Sequence, residues 1–335
     1  MNTSQSDRGG LIAGIDAGGT STRATLLTTA AECLGYGKSG SGNPTSAGQE
    51  LAGRSIVDAV AQALAAGGKA IDELDLIVAA VAGHGASGEE GWLLQALRDA
   101  GFSGRLVFES DLLALYFSGT AAPDGYAIVS GTGASVIRSE AGRLVGTVDG
   151  LGWLLGDRGS GFWIGHRAAL AAVEELDGRG APTALTPAVL EALEIMPSES
   201  LGYGRPALLE ALIRQIYRGR PVELARLAPL VFAASGDQVA RGILTEAGEL
   251  LAHSFAAAYQ GTGPLVVGGS VLAQPGLLID VFAARVADLD AAVELLPAAD
   301  GVLGSAVLAL RHAGAEVDAA GHARLAESVA AARAR

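Results

Sequence analysis

Cysteine is almost absent from this chain, and positive charge is scarce. Cys33 is the only cysteine among 335 residues, which excludes an internal disulfide and any multi-cysteine zinc or iron–sulfur site built by one chain. We interpret Cys33 as a small buried hydrophobe. The formal net charge of −13 argues against nonspecific binding to nucleic acid or to anionic membranes, because both need a basic surface.

Long apolar runs are missing as well. The opening MNTSQSDRGG has no apolar segment of the kind that a secretory signal needs. The run DLIVAAVAG is too short to cross a membrane. We therefore expect a cytoplasmic protein with no membrane partner and no nucleic-acid partner. Hydrophobic residues make up 50% of the chain, which is enough to form the cores of two domains at this length.

Two stretches place a glycine turn between β-rich runs. They are GIDAGGTSTRATLL, from Gly14, and YAIVSGTGASVIRS, from Tyr126. Each opens a series that reads βββαβαβα, and the second series contains a helical insertion from about Phe162 to Tyr259. The pattern predicts an α/β fold with mixed sheets. It places one domain at residues 1–120, a second at 121–320, and a C-terminal tail at 321–335 that is either helical or frayed.

The first glycine turn carries donors that phosphate oxygens prefer. Without a Cβ, its glycines let the backbone approach a ligand closely. The candidate ATP-binding residues are Gly18, Gly19, Thr20, Ser21 and Thr22. Asp16 would repel a phosphate unless a cation lay between them, so it is a candidate ligand of hydrated Mg²⁺. An ordinary hairpin, with Asp16 accepting from turn N–H groups, is the open alternative.

The second turn offers the same chemistry. Its candidate ATP-binding residues are Gly131, Thr132, Gly133 and Ser135. Two such turns, one opening each half, predict a nucleoside triphosphate held between two domains. No P-loop motif occurs, and both turns lead into strands rather than helices, which excludes a Rossmann dinucleotide site.

The two hairpins, the glycine pair at 268–269 and their order resemble the sugar kinase/Hsp70/actin ATPase superfamily. The stretch GLGWLLGDRGSGFWIGHRA, residues 150–168, is similar to the sugar-binding signature of the N-acetylglucosamine kinase branch, which belongs with the BadF/BadG/BcrA/BcrD ATPase group. The resemblance covers about residues 11–314. It implies a two-domain, actin-like (ribonuclease H-like) fold with an interdomain cleft, ATP and Mg²⁺ as cofactors, an amino sugar as substrate, and a homodimer.

The same resemblance implies roles for individual residues. Asp111, in FESDLLAL at a strand-to-helix junction, would be the catalytic base that accepts the proton of the sugar hydroxyl. A place beside a helix N-cap at Ser110 is compatible with that role. The sugar would contact Asn43, Asp111, Gly150, Leu151, Gly152 and Asp157. Asn43 could instead be a simple turn residue before Pro44.

The resemblance also implies contacts with the nucleotide. Thr20 and Thr132 match threonines that contact phosphate. The turn beside the adenosine would consist of Gly268, Gly269 and Ser270. Ala233, in FAASGD, matches a helix that packs on the adenine.

Aromatic and histidine side chains near the signature have competing interpretations. For Trp153, Phe162 and Trp163, core packing is favoured over a role as sugar platforms. For His166, a structural or solvent-facing role is favoured over catalysis. His84 could line the cleft, although nothing in the sequence fixes its position.

The favoured hypothesis is an ATP-dependent kinase that phosphorylates the 6-hydroxyl of N-acetylglucosamine or glucosamine. A kinase for N-acetylmuramic acid stays open, because Arg158 could bind its lactyl carboxylate. A nucleotide-dependent sensor or partner-activating ATPase is another alternative, and sugar-stimulated ATP consumption would separate it from a kinase. Relatives that hold an iron–sulfur cluster between subunits need cysteines that this chain lacks.

Overall fold

The structure, a computed structural model, describes residues 10–83, 91–196, 201–202 and 204–335. The strands and helices follow one another in the predicted order. The strands are β1 (Leu11–Ala17), β2 (Thr22–Thr28), β3 (Cys33–Ser39), β4 (Leu74–Val81), β5 (Arg105–Glu109), β6 (Gly125–Ser130), β7 (Ala134–Glu140), β8 (Arg143–Asp149), β9 (Leu201–Gly202), β10 (Arg205–Pro206), β11 (Leu265–Gly268) and β12 (Leu295–Pro297). The helices are α1 (Pro44–Ala47), α2 (Gln49–Gly67), α3 (Gly91–Asp99), α4 (Asp111–Gly119), α5 (Gly161–Leu176), α6 (Leu185–Ala192), α7 (Ala207–Arg218), α8 (Ala228–Ala233), α9 (Gln238–Ala258), α10 (Leu277–Leu289), α11 (Gly301–His312) and α12 (Ala319–Arg333).

The first sheet has the strand order β3-β2-β1-β4-β5. The pairs β1–β2 and β2–β3 are antiparallel, whereas β1–β4 and β4–β5 are parallel. The parallel pairs follow from the helical connections. Strand β3 runs in the same direction as β1, and α2 returns the chain so that β4 takes this direction too. Helix α3 does the same between β4 and β5. This is the mixed sheet that the sequence predicts.

The second sheet has the order β12-β11-β6-β7-β8, and β11 runs parallel to β6. Each strand therefore occupies the position of its counterpart in the first sheet. Helices α5 to α9 lie between β8 and β11 in the chain, as the predicted helical insertion requires. The duplicated βββαβαβα pattern is confirmed.

The chain divides into two compact units. Unit 1 comprises Met1–Gly125, Ser139–Leu144 and Leu296–Arg335, and unit 2 comprises Tyr126–Arg138 and Val145–Leu295. These bounds differ from the predicted ranges 1–120 and 121–320, because the last two helices of the chain belong to unit 1. There α11 packs on β1 and α4, and α12 packs on β3.

The predicted C-terminal tail is most of helix α12. Leu325, Val329 and Ala332 are buried on that helix, and their spacing of three and four residues forms one apolar face. The hydroxyl of Ser328 accepts a hydrogen bond from the backbone N–H of Cys33 at 2.9 Å. The helical alternative is therefore the observed one, and it ties the end of the chain to the first sheet.

Glycines in unit 1 allow the backbones of neighbouring elements to pack directly against each other. A Cβ on Gly14 in β1 would lie 2.6 Å from the carbonyl oxygen of Ser305 in α11. A Cβ on Gly304 would lie 1.7 Å from the carbonyl oxygen of Ala114 in α4. Glycine is needed at both positions because neither neighbour is a flexible side chain that could move away.

Each unit has its own hydrophobic core. In unit 1 the core lies between β1, β2, β4 and the helices α2 and α3. In unit 2 it lies among β6, β7, β11, the inserted helices and α10. Among the described helices, none is both long and apolar enough to cross a bilayer.

Candidate active site

The first predicted phosphate turn joins β1 to β2 in unit 1. The N–H of Gly18 donates to the carbonyl of Ser21 at 3.0 Å, which closes the turn. Gly19 and Thr20 are exposed at its tip, where backbone N–H groups can donate to phosphate oxygens. Thr22 is buried, and its hydroxyl donates to the carbonyl of Gly40 at 2.9 Å. That hydroxyl, assigned to the phosphate from sequence, therefore holds a neighbouring loop.

The same loop brings Asn43 to the first turn. The N–H of Gly42 donates to the carbonyl of Gly18 at 3.0 Å. Asn43 is the N-cap of α1, and its Oδ1 accepts from the N–H groups of Thr45 and Ser46 at 2.8 and 3.2 Å. The turn role considered from sequence is thus real. It leaves the two Nδ2 donors of the Asn43 amide for a ligand.

Asp16, the predicted Mg²⁺ ligand, lies at the end of β1. Its register partner in β2 is Arg23, and the two side chains form an ion pair with Nη1–Oδ2 at 3.2 Å. The same Nη1 lies 3.5 Å from Oδ1 of Asp300, the N-cap of α11. Burial raises the pKa of Asp16 to about 6, against the lowering effect of Arg23, and the charges of Asp300 and Asp111 add to the rise.

Asp111, the predicted catalytic base, is the first residue of α4. Ser110 is the N-cap, and its hydroxyl oxygen accepts from the N–H of Leu112 at 3.2 Å. Oδ1 of Asp111 accepts from the same N–H at 3.0 Å. Burial raises the pKa of Asp111 although these backbone hydrogen bonds oppose the rise. The structure therefore gives this acid a partly buried carboxylate just beyond the end of β5.

The chemistry of these acids fits a divalent cation. Asp16, Asp111 and Asp300 lie close enough for their charges to interact, and Arg23 supplies one positive charge among them. In the described part of the chain, no group of three or more His, Cys, Asp or Glu side chains forms a ready metal site. A cation here would therefore take most of its ligands from phosphate oxygens and water, as Mg²⁺ commonly does.

The second glycine turn joins β6 to β7 in unit 2 and rests on the start of α5. The N–H of Gly131 donates to the carbonyl of Gly133 at 2.9 Å, which closes the turn. The N–H groups of Gly161 and Phe162 donate to the carbonyls of Gly131 and Thr132 at 2.7 and 3.1 Å. The side chain of Thr132 is exposed. These bonds occupy turn carbonyls and leave the exposed hydroxyl of Thr132 accessible to a ligand.

Asp157, the predicted sugar-binding acid, is held against this second turn. Its Oδ1 accepts from the N–H of Ala134 at 3.1 Å, and a Cβ on Gly133 would lie within 3.1 Å of its carboxylate. Asp149 holds the loop in place, because its two oxygens accept from the N–H groups of Asp157 and Arg158 at 2.6 and 3.0 Å. Burial raises the pKa of Asp157.

The remaining predicted sugar-site residues lie on the same loop. Gly150 donates its N–H to the carbonyl of Ala134 at 2.9 Å. A Cβ on Gly150 would lie 2.8 Å from the hydroxyl of Ser135, which is buried in β7. Leu151 and Gly152 are exposed beyond it. Unit 2 therefore brings the 150–157 loop and the second glycine turn together.

Ser270, the last residue of the predicted adenosine turn, lines a cavity of about 210 Å³ in unit 2. Its walls include Gly131, Thr132, Pro229, Phe232, Ser270 and Val271. Gly269 has a φ of +92°, and a Cβ there would lie 2.2 Å from the carbonyl oxygen of Ser130, so the turn after Gly268 needs glycine. Helix α8 reaches the cavity through Pro229 and Phe232, while Ala233 is exposed and outside the lining.

The aromatic residues of the signature divide between core and surface. Phe162 is buried and lies against Trp153 and His166, and Trp163 packs on the core of unit 2. Core packing was the wrong prediction for Trp153, which is 41% exposed. The ring of His166 stacks on Phe162, and burial lowers its pKa. His84 lies outside the described residues.

Sequence reasoning missed the residues that hold the predicted ones. Arg23 could have been found, because the hairpin register pairs it with Asp16. Asp149 and Asp300 gave no comparable signal, since their partners become apparent only once the chain is folded. The two half-sites lie in different units, and the expectation that they face each other across a cleft stays a prediction.

The duplicated sheets and their connections define an actin-like, two-domain ATPase fold. A candidate N-acetylglucosamine kinase from Chromobacterium violaceum has this fold, with a TM-score of 0.67 and 24% identity over 90% of this chain and 98% of the other. Residues 13–309 match the BadF/BadG/BcrA/BcrD ATPase family. The chain belongs to that family.

Two further relatives are similar over a smaller share of the chain. The N-acetylmuramic acid/N-acetylglucosamine kinase of Clostridium acetobutylicum is 29% identical over 70% of this chain and 75% of its own. The glucosamine kinase of Vibrio cholerae is 27% identical over 77% of this chain and 84% of its own. Their names differ in the sugar, although all three sugars carry nitrogen at the same ring position.

Proposed function

We propose that this protein is an ATP-dependent kinase that transfers the γ-phosphoryl group of ATP to the 6-hydroxyl of N-acetylglucosamine or glucosamine. The observation that carries the proposal is the partly buried carboxylate of Asp111 at the start of α4, in the same unit as the first glycine turn and Asp16. Sugar kinases among the relatives support the reaction class. The identity of the sugar and of its reacting hydroxyl is part of the proposal.

Asp111 would accept the proton of the attacking hydroxyl. A raised pKa makes its carboxylate a stronger base than an exposed aspartate, which favours proton transfer. The N–H of Leu112 donates both to the hydroxyl oxygen of Ser110 and to Oδ1 of Asp111, and these two bonds fix the start of α4. They would hold the carboxylate in one position while the phosphoryl group is transferred.

The sugar would be bound by groups that the fold leaves available. The Nδ2 donors of Asn43 remain after its Oδ1 caps α1. Oδ1 of Asp157 accepts from Ala134, so Oδ2 is the oxygen that would accept from sugar hydroxyls. Together they would supply both donors and acceptors, which a polyhydroxylated ring requires.

ATP would be bound by the two glycine turns and the cavity beside Ser270. The N–H groups of Gly19 and Thr20 and the hydroxyl of Thr132 would donate to phosphate oxygens. Mg²⁺, held by Asp16 directly or through water, would supply positive charge that offsets the charge on the transferred group. The adenine would enter the cavity lined by Phe232 and Val271.

The test is a coupled ATP-consumption assay with a panel of glucosamine, N-acetylglucosamine, N-acetylmuramic acid and glucose. We expect ADP formation that depends on glucosamine or N-acetylglucosamine, and a product whose phosphorus couples to the C6 protons by NMR. Preference for N-acetylmuramic acid would favour that alternative, in which Arg158 would bind the lactyl carboxylate. ATP hydrolysis that no sugar stimulates would overturn the kinase and support a nucleotide-dependent activator. The homodimer implied by the resemblance and the cytoplasmic location expected from the sequence stay proposals.

A further inference from the structure

Asp16 is the first member of a chain of charged groups that reaches the C-terminal helix. Arg23 shares one nitrogen, Nη1, between Asp16 at 3.2 Å and Asp300 at 3.5 Å. Asp300 in turn binds Nη1 of Arg333 with its other oxygen, at 2.7 Å. All four residues lie in unit 1. The order of charges is therefore acid, base, acid, base.

Several contacts hold the middle of this chain in place. Oδ1 of Asp300 also accepts from the N–H of Val302 as the N-cap of α11, at 3.3 Å. A Cβ on Gly301 would lie 2.8 Å from Oδ2 of Asp16, so the start of α11 adjoins the Asp16 carboxylate. The guanidinium of Arg333 lies 5.8 Å from the ring centre of Tyr36 in β3. Side-chain exposures of 17% for Asp16 and 25% for Asp300 keep these charges only partly screened.

We propose that Asp300 is a positioning residue for the metal site at Asp16. When a divalent cation binds there, Asp300 draws Arg23 away from Asp16, and Arg333 sets how strongly Asp300 does so. The inference rests on the proposed role of Asp16. A cation at Asp16 would repel the guanidinium of Arg23. Because that guanidinium already lies within ion-pair distance of Asp300, a small movement would transfer it from one carboxylate to the other.

The two ends of the chain then act in opposite directions. Without the charge of Asp300, Asp16 would be the remaining ion-pair partner of Arg23 among the described residues, and a cation would displace Arg23 less readily. Without Arg333, Asp300 would attract Arg23 more strongly, and Asp16 would become more available. A purely structural role for α12 makes a different prediction, because loss of either contact would loosen the same helix and shift binding in the same direction.

The test uses calorimetry of ADP binding at increasing Mg²⁺ concentration, with Asp300→Asn and Arg333→Gln. Asparagine keeps the N-cap acceptor, so the fold of α11 is retained. We expect Asp300→Asn to raise the Mg²⁺ concentration for half-saturation by roughly two- to fivefold, and Arg333→Gln to lower it by a similar factor, the range of a partly exposed ion pair. The matched control is Arg324→Gln, which removes a positive charge from an exposed position on the same helix.

A second background separates transfer of Arg23 from a general field effect. In Arg23→Gln protein, Asp300→Asn and Arg333→Gln should no longer change the Mg²⁺ dependence, because the group they act on is gone. Shifts that persist there would overturn the proposal, as would equal shifts in one direction or shifts no larger than that of Arg324→Gln. If Arg23→Gln fails to fold, as judged by circular dichroism, Arg23→Met serves as the neutral background in the same comparison, because opposite signs in the wild-type background exclude only the purely structural role of α12.

A single variant distinguishes this inference from the proposed function. Asp16→Asn should weaken Mg²⁺-dependent ADP binding. If it does not, the metal role of Asp16 fails, and the inference fails with it. If Asp16→Asn weakens binding while Asp300→Asn and Arg333→Gln leave it unchanged, the proposed function stands and the positioning role alone is wrong.

Discussion

At the scale of single residues, burial decides the chemistry of the acids more than their neighbours do. Asp16, Asp111 and Asp157 all have raised pKa values, and burial is the largest cause for each. A desolvated carboxylate binds a cation or a proton more readily than an exposed one. The sequence located these acids from the ends of strands and from the signature, but their burial required the folded chain.

The raised pKa of Asp111 predicts a shifted acid limb in the pH–rate profile. A base works when ionised, so kcat/KM should fall as the pH drops through the pKa of Asp111, and this fall should begin above the range of an ordinary aspartate. This fall is measured from initial rates at low sugar concentration and saturating Mg·ATP, between about pH 4 and about pH 9. ADP binding followed over the same range is the control. A profile that stays flat down to the ordinary range would contradict the assignment.

Cys33 predicts an inert thiol. Burial raises its pKa to about 11, so on the order of one molecule in a thousand would carry a thiolate at pH 8. A thiol-reactive chromophore should therefore label the native protein very slowly and label it stoichiometrically in denaturant. Rapid labelling of the native protein would show that α12 does not cover β3 as described.

At the scale of elements, the β-rich runs and glycine turns of the sequence predicted the strands well, but they did not predict how the helices pack. The β-rich runs on either side of each glycine turn predicted β1, β2, β6 and β7, and these strands are buried along almost their whole length. The packing of α11 against α4 depends on the space left by Gly304. A lone glycine inside a helical pattern does not reveal which neighbour needs that space.

Gly304 predicts a large difference between two glycine-to-alanine substitutions. Gly304→Ala should destabilise the protein by about 1–3 kcal/mol or more, because the new Cβ would meet the backbone of α4. Gly242→Ala is the matched control within α9. It has no atom within 4 Å of the new Cβ and should stabilise by about 0.4–1 kcal/mol. Denaturant unfolding of both variants measures the difference, and equal effects would contradict the packing.

At the scale of the whole molecule, the last two helices of the chain belong to the same unit as the first strands. Sequence order suggested that residues 121–320 form one domain, because the second glycine turn opens a new series. The fold returns α11 and α12 to unit 1 instead. Local patterns carry no information about such a return, since it is decided by which exposed sheet face the last helices can bury.

Leu325 measures how much α12 contributes to unit 1. Leu325 is 0% exposed, so Leu325→Ala should cost about 2–5 kcal/mol and lower the melting temperature. It should also speed the labelling of Cys33. The exposed Glu327→Ala on the same helix serves as control and should change stability by less than about 0.5 kcal/mol. Equal melting temperatures for the two variants would mean that α12 is not packed as described.

The most direct test of the central claim is Asp111→Asn, which removes the proposed base while preserving size and the acceptor for the N–H of Leu112. We predict that sugar phosphorylation falls by about 10²–10⁴-fold, while calorimetry finds Mg·ADP affinity within about twofold of the wild type. Sugar phosphorylation at the wild-type rate by this variant would contradict the account.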